Sequence, residues 1–389
     1  MFSRSAFIAS LFAATLLLPA PLPAADPYEI NTVLSLTGPG SFLGKAEALT
    51  LSAVESRVNK SGGIQGRPIH FAIVDDQSSP QIAVQLTNAI LAKNPTVVMG
   101  SSLVASCNAM AALMKTGPVQ FCFSSGFHPA AGSYGFAFGV STDDLIAVTV
   151  RYFHDRGWKK VALISSTDAS GQDGERGFNV ALGAPENSDM TVVAREHFNV
   201  NDVTVAAQMS TIKASGAQAL ITWTSGTPFG TLLHAASDIG LNIPMTASAA
   251  NLSYEEFHQF AAWLPITLDM AAMASVAYDS LPRGAVRNAV RDYVEAIKPL
   301  GARADNTHSI AWDPANIVID ALRHTGLNAT PAQVRDYIAN LHGYVGIVGE
   351  YDFRDGSQRG VGAKNGIVVR WSPAKDTWGA VSKFGGTPI

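Results

Sequence analysis

Charge is what this chain has least of. Asp, Glu, Lys and Arg make up only 15% of its 389 residues, and the formal net charge is −4. No Lys/Arg run occurs, so composition supports neither nucleic acid nor an anionic membrane surface as a partner. Cysteine is nearly absent, with Cys107 and Cys122 the two in the chain. Two cysteines without clustered histidines make no metal site. The glycine loops that cradle dinucleotides or phosphates are missing. So are the Gly-x-Ser-x-Gly elbow and the His-Glu-x-x-His zinc motif, and the nine histidines are scattered. An enzyme, for instance a hydrolase, has little to recommend it, although chain order alone does not exclude a catalytic triad. No cofactor is expected. Past the N-terminus no apolar stretch reaches the ~20 residues that a membrane span needs.

What is present begins at the N-terminus. Met1 to Arg4 is short and basic, Ala6 to Leu18 is apolar but for Ser10 and Thr15, and the run ends in Pro19-Ala20-Pro21-Leu22-Pro23-Ala24-Ala25. This pattern reads as a secretory signal peptide over residues 1–25, cleaved after Ala24 or Ala25. The alternative, a buried N-terminal helix, would be broken by its three prolines. The chain is therefore expected to be exported. The signal region ends without a cysteine, so a lipid anchor is not expected. The remainder, roughly 365 residues, suits two domains of ordinary size, and a hydrophobic content of 47% provides for a sizeable core. In an oxidising compartment Cys107 and Cys122 could pair. The reading favoured here is two buried thiols, one near the start of a helix and one inside a strand.

Short apolar runs alternate with amphipathic segments. Strands are predicted over Ile30–Leu36, Ile69–Val74, Thr96–Met99 and Val119–Phe123, with helices over Gly44–Lys60, Gln81–Lys93 and Leu103–Met114. The rhythm restarts with helices over Asp144–Arg156, Gly174–Leu182, Asp202–Ser215 and Phe229–Ile239. These enclose strands over Val161–Ser165, Thr191–His197 and Ala219–Trp223. Such alternation predicts α/β domains with parallel sheets wrapped by helices. Ligands of open α/β sheets bind beyond the carboxyl ends of the strands. That rule selects the loops 37–44, 100–106, 124–129, 166–174, 223–229 and 246–251.

Those loops sit within a longer pattern. Leu36-Thr37-Gly38-Pro39 precedes a helix. Asn59-Lys60-Ser61-Gly62-Gly63-Ile64-Gln65-Gly66-Arg67-Pro68-Ile69 follows, then Asp75-Asp76 and a strand ending at Gly100. Ala311-Trp312-Asp313-Pro314-Ala315 opens a later helix, and Gly343-Tyr344-Val345-Gly346-Ile347-Val348-Gly349-Glu350-Tyr351-Asp352-Phe353 leads to Asp355-Gly356. The whole resembles the leucine/isoleucine/valine-type periplasmic binding proteins of ABC transporters. The resemblance implies two doubly wound α/β lobes joined by three crossovers, near Ser141, Tyr278 and Tyr351. One lobe would hold residues 26–141 and 279–351, the other 142–278 and 352–389. It implies a monomer that closes on a small carboxylate ligand and is read by the membrane subunits of an ABC permease.

Relatives that bind amino acids hold the α-carboxylate with a serine after the fourth strand and a hydroxyl-bearing loop. Ser101, Ser102 and Ser106 cluster at a helix N-terminus, where free N–H groups favour an anion. Ser124 and Ser125 form the facing loop. Ser170, Ser225 and Ser248 lie in the loops of the other lobe. Relatives pair the α-ammonium with an acid where this chain reads Ala247, and they place a loop hydroxyl where it reads Phe127. A buried ammonium without its counter-charge costs several kcal/mol, so an amino acid would need a substitute such as Asp168, Asp173 or Asp279. Phe42, Phe127, Trp223 and Phe229 fall in or beside the cleft loops, and His128 is placed to meet a phenol. The ligand expected is thus an aromatic carboxylic acid, benzoate- or phenylpropenoid-like. A branched-chain amino-acid binder and a receptor domain that signals to a membrane sensor are the other readings.

Overall fold

Strands buried on both faces read as nearly unbroken apolar runs, and this chain has them at regular spacing. In the computed structural model, which describes residues 26–389, they form two parallel sheets. The expected signal segment, residues 1–25, lies outside the described residues. The first sheet contains β1 (Tyr28–Leu34), β2 (Ile69–Asp75), β3 (Val97–Gly100), β4 (Val119–Cys122) and β5 (Gly135–Ala137), ordered β2-β1-β3-β4-β5. All its pairs are parallel, with Tyr28 opposite Ile69 and Val97 opposite Val119. Its helices are α1 (Ser41–Lys60), α2 (Pro80–Leu91) and α3 (Val104–Ala111).

After α4 (Thr142–Asp155) comes the second sheet. It contains β6 (Lys160–Ser166), β7 (Thr191–Phe198), β8 (Ala219–Trp223) and β9 (Met245–Thr246), ordered β7-β6-β8-β9. α5 (Ala169–Leu182), α6 (Ala206–Ala214) and α7 (Pro228–Asp238) connect its strands, and α8 (Tyr254–Gln259) leads to β10 (Asp269–Met273). The chain then returns to the first lobe. There α9 (Ala285–Ile297), α10 (Asn306–Ser309) and α11 (Trp312–Thr325) pack on α1, and α12 (Pro331–Asn340) packs on β4. A hairpin, β11 (His342–Val345) with β12 (Glu350–Asp352), leads back. Finally β13 (Gly366–Ser372) and β14 (Thr377–Ala380) join β10 in an antiparallel sheet resting on α4. Two doubly wound α/β lobes linked by three crossings of the chain are what the resemblance implied, and the alternation itself pointed to two α/β domains. Among the described residues no helix is long and apolar enough to cross a membrane.

Local chemistry explains where elements begin. Ser141 caps α4, its side chain accepting from Asp144 N, and Asp143 and Asp144 add negative charge to the first turn. Thr330 and Gln333 form a capping box on α12, with Pro331 in its first turn. α5 begins at Ala169, ahead of the predicted Gly174, because the Asp168 carboxylate accepts from Gly171 N at 3.0 Å. α6 begins only at Ala206, because Asp202 instead holds a turn by accepting from Asn199 N at 2.8 Å.

The expectation of two free thiols is corrected. Cys107 and Cys122 form a disulfide with Cα atoms 5.9 Å apart. Both belong to one small buried cluster with Phe127 and Ala137, since α3 lies against the end of β4. The bridge closes a short loop, the two residues being 15 apart in sequence. Replacing both cysteines with alanine is expected to destabilise the first lobe by about 3 kcal/mol, lowering its melting temperature by roughly 6–12 °C in calorimetry.

Candidate functional site

The strand orders fix where a ligand can sit. The first sheet changes direction between β1 and β3, the second between β6 and β8. Loops leaving those strands at their carboxyl ends meet around one cavity of about 300 Å³. One wall carries Gly40, Leu43, Ser102, Val104, Phe123 and Ser125, and the other Asp168, Ser170, Asp173, Trp223, Ser225 and Ser248. The volume sits at the small end for ligand pockets.

Of the residues chosen from sequence, Ser102, Ser124, Ser125, Ser170, Trp223, Ser225 and Ser248 line this cavity. Phe42, Ser101, Ser106, Phe127 and Ala247 do not, each for a visible reason. Ser101 is fully buried and donates to Asp76 Oδ2 at 2.5 Å. Ser106 is buried on the inward face of α3. Phe127 packs on the disulfide. Ala247 lies in the core. Phe42 is set against Gly226, 3.3 Å from where a Cβ there would sit. Phe229 is likewise lost to the core, edge-on to Phe260 at 6.5 Å. Phe123 takes the place of these rings in the wall, together with Leu103, Val104 and Leu145. Its signal was present: Phe123 ends the apolar run before Ser124, at the carboxyl end of a strand. Asn306 and Ile310 also line the cavity, from the returning segment, and no local pattern marks them.

Trp223 is 4% exposed and ends β8. A Cβ at Gly174 would lie 2.2 Å from its Cδ1, so glycine in α5 makes room for the indole. Ser170 and Ser225 hydrogen-bond each other at 2.9 Å. Ser124 Oγ accepts weakly from Gly126 N at 3.4 Å.

Helix N-termini dominate the electrostatics. Ser102, Leu103, Val104 and Ala105 bring the start of α3 to the cavity, and Leu103 provides no side-chain cap for it. The first-turn N–H groups of α3 therefore lack intrahelical and capping partners and favour an anion. α5 and α7 also begin at the cavity, through Ala169 and Pro228.

The acids that line the cavity, Asp168 and Asp173, are each engaged through Oδ1. Asp168 caps α5 and also accepts from Ser166 Oγ at 2.6 Å. Asp173 pairs with His128 at 2.8 Å and Arg176 at 2.5 Å. Burial pushes its carboxyl up, but hydrogen bonds from His128, Thr142 and Arg176 outweigh this and hold it below the ordinary range. Its second oxygen is buried beneath Gly126, where a Cβ would come within 2.6 Å. His128, placed in the sequence reading to meet a phenol, is thus committed to Asp173. Asp279 is exposed and away from the cavity. Behind Ser102 lies Glu47, fully buried in α1, to which Ser102 Oγ donates. Burial pushes the Glu47 carboxyl up from 4.5 to about 8, assisted by the neighbouring charge of Asp76 and opposed by the Ser102 hydrogen bond. At neutral pH it is mainly uncharged, so it does not repel an anion in the cavity.

Comparison with known proteins places this geometry. The family model described as "Periplasmic binding protein" matches residues 27–376. A "Leucine-, isoleucine-, valine-, threonine-, and alanine-binding protein" from Pseudomonas aeruginosa is 25% identical over 223 residues, 56% of this chain and 59% of the relative. The chain thus spans less than two thirds of that curated relative. The crystal structure of a periplasmic binding protein type 1 from Bordetella pertussis Tohama I superposes with a TM-score of 0.79 at 20% identity, covering 94% of this chain and 100% of the other. An ABC transporter solute-binding protein from R. palustris, in complex with benzoate, superposes with a TM-score of 0.77 at 16% identity, covering 93% of this chain and 97% of the other. At such identities the likeness of the two structures is one of fold.

The buried Glu47 makes stability depend on pH with a definite sign. The folded protein keeps this proton until about pH 8, whereas the unfolded chain releases it near 4.5. Over that window the folded state holds more protons, so this contribution to stability is complete below pH 4.5 and is lost as pH rises. Glu47→Gln should remove it. In urea unfolding at pH 5, 6.5 and 8, the wild type is expected to lose up to about 1.4 kcal/mol per pH unit relative to the variant.

Proposed function

The chain belongs to the periplasmic binding protein family, and on that premise we propose that it captures a small aromatic carboxylic acid for an ABC importer. The family and the similar structures are those of solute-binding proteins, not enzymes. The observation that carries the reading is the division of the cavity. One wall offers the uncapped N-terminus of α3 and the Ser124–Ser125 loop, which suit a carboxylate. The opposite wall offers the indole of Trp223, with Phe123 at the edge of the first. Ring packing against such side chains adds ~0.5–1.5 kcal/mol beyond area burial. Of the acids in the wall, Asp173 is engaged with Arg176 and His128 and Asp168 with its helix, each through Oδ1, and Asp173 Oδ2 is buried without a partner.

In this reading the N-terminus of α3 with Ser124 and Ser125 serves the carboxylate, while Ser170, Ser225 and Ser248 approach from the second lobe as the cleft closes. The lobes comprise residues 26–141 with 279–351 and 142–278 with 352–389. The protein works as a periplasmic monomer and delivers its solute to the permease. The 25% identical relative favours a second reading, a branched-chain amino acid as solute.

Calorimetric titration with benzoate, cinnamate, acetate and leucine separates the two. Benzoate or cinnamate should bind at about 1 μM or tighter, near −8 kcal/mol, and should change the Trp223 fluorescence. Trp223→Ala should weaken the aromatic acid about tenfold or more and acetate far less, because only the former loses ring contact. Micromolar binding of leucine without a response to either aromatic acid would return the protein to the amino-acid reading.

A further inference from the structure

Arg359 lies behind the Ser124–Phe127 loop and does not itself line the cavity. It is 4% exposed. Its guanidinium donates to four backbone carbonyls: Nη1 to Phe138 at 2.5 Å and Gly139 at 3.0 Å, Nη2 to Ser125 at 3.1 Å and Phe127 at 2.5 Å. Among the described residues no carboxylate forms an ion pair with it. Asp144 and Asp173 favour its charge only through space, and Asp173 is already held by His128 and Arg176. Burial lowers its pKa to about 10, which leaves it charged at neutral pH.

A buried charge that donates only to neutral dipoles is costly unless an opposite charge lies near, and Asp144 and Asp173 supply one only through space. The geometry supplies a place for one. In a trans peptide the C=O and N–H point in opposite directions. A Ser125 carbonyl turned to Arg359 therefore turns the Gly126 N–H the other way, where its partner is the weak acceptor Ser124 Oγ at 3.4 Å, and Ser124, Ser125 and Gly126 all line the cavity. The guanidinium so aligns the loop's dipole with its positive end away from itself, and adds a full positive charge one peptide unit behind it. The adjoining Gln358 anchors the same stretch, its Nε2 donating to Ser133 and Gly135 carbonyls at 3.0 and 2.9 Å.

We propose that Arg359 is the positioning residue and counter-charge for a ligand carboxylate held at Ser124–Gly126. This rests on the carboxylate part of the functional reading, and holds whether the acid is aromatic or an amino acid. Specificity for the ionised acid over its neutral amide would then come largely from a side chain that never touches the ligand.

The test pairs each acid with its amide: benzoate with benzamide, and leucine with leucinamide. Each is titrated calorimetrically into the wild type, Arg359→Gln and Arg359→Lys, with circular dichroism to report folding. The wild type should prefer the acid of its pair by about 100-fold or more, Arg359→Gln should lose at least tenfold of that preference, and Arg359→Lys should restore most of it at pH 7. Because a buried lysine sheds its proton readily, the preference in Arg359→Lys should fall between pH 7 and 9.5 while the wild type's holds. That second arm decides the matter if Arg359→Gln does not fold. A wild type that binds neither acid overturns the carboxylate reading and this inference together. A wild type that binds an acid, with a folded Arg359→Gln that keeps its preference or an Arg359→Lys without pH dependence, overturns this inference alone.

Discussion

Helices that follow parallel strands all start at the same end of the sheet, and their first N–H groups find no partner inside the helix. That constraint organises this molecule. α1, α3, α5 and α7 each begin at or beside the cavity, so orphan donors and positive helix ends accumulate around one small volume. Most ends are settled locally. Asp168 caps α5, and Pro228 removes a donor from the first turn of α7. α3 is left without a side-chain cap, although serines flank it. Ser101 is spent on Asp76 and Ser102 on Glu47. The unmet donors therefore lie where a ligand oxygen can reach them.

The same economy governs the carboxylates. An anion site fails if acids crowd it, yet Glu47, Asp76, Asp168 and Asp173 all lie near. Each is handled differently. Glu47 stays protonated through burial. Asp76 accepts from Ser35 Oγ at 2.7 Å, Ser78 N at 2.9 Å and Ser101 Oγ at 2.5 Å, tying the loops after β1, β2 and β3 together. Asp168 faces its helix and Asp173 faces Arg176. Toward the cavity lie neutral hydroxyls, backbone N–H groups and apolar side chains, with Asp168 and Asp173 in the second wall each held through Oδ1. Polarity beneath the floor holds the loops in place.

Much of this was legible in the sequence, and the illegible part has a pattern. The alternation of apolar runs and amphipathic segments located the longer strands of both sheets and the helices between them, because parallel strands buried on both faces leave that trace. The rule of strand carboxyl ends found the loops that meet at the cavity. It could not say which side chain within a loop points inward. Ser101 and Ser102 are neighbours, yet one faces the core and the other the cavity, and Phe123 and Phe127 exchanged expected roles for the same reason. Direction is set by packing partners distant in sequence: Asp76 for Ser101, and the disulfide for Phe127. β5 and β9 were missed because three residues and two residues make no periodic signal. Arg359, 234 residues from Ser125, was invisible for want of any local pattern.

The unequal walls have a mechanical consequence within the proposed reading. A ligand shifts an open–closed equilibrium only by its differential affinity for the two states. The carboxylate donors, α3 and the Ser124–Ser125 loop, belong to one lobe and are present whether or not the cleft is closed. Trp223, Ser170 and Ser225 belong to the other and reach the ligand only on closure. The carboxylate therefore governs capture, and the body of the acid governs closing. Burial of a ring against an indole is non-directional and scales with area, so acids of similar charge differ mainly in how far they close the cleft. Selection among carboxylates would be exercised at the step a permease reads, by the apolar wall and not by the anion grip.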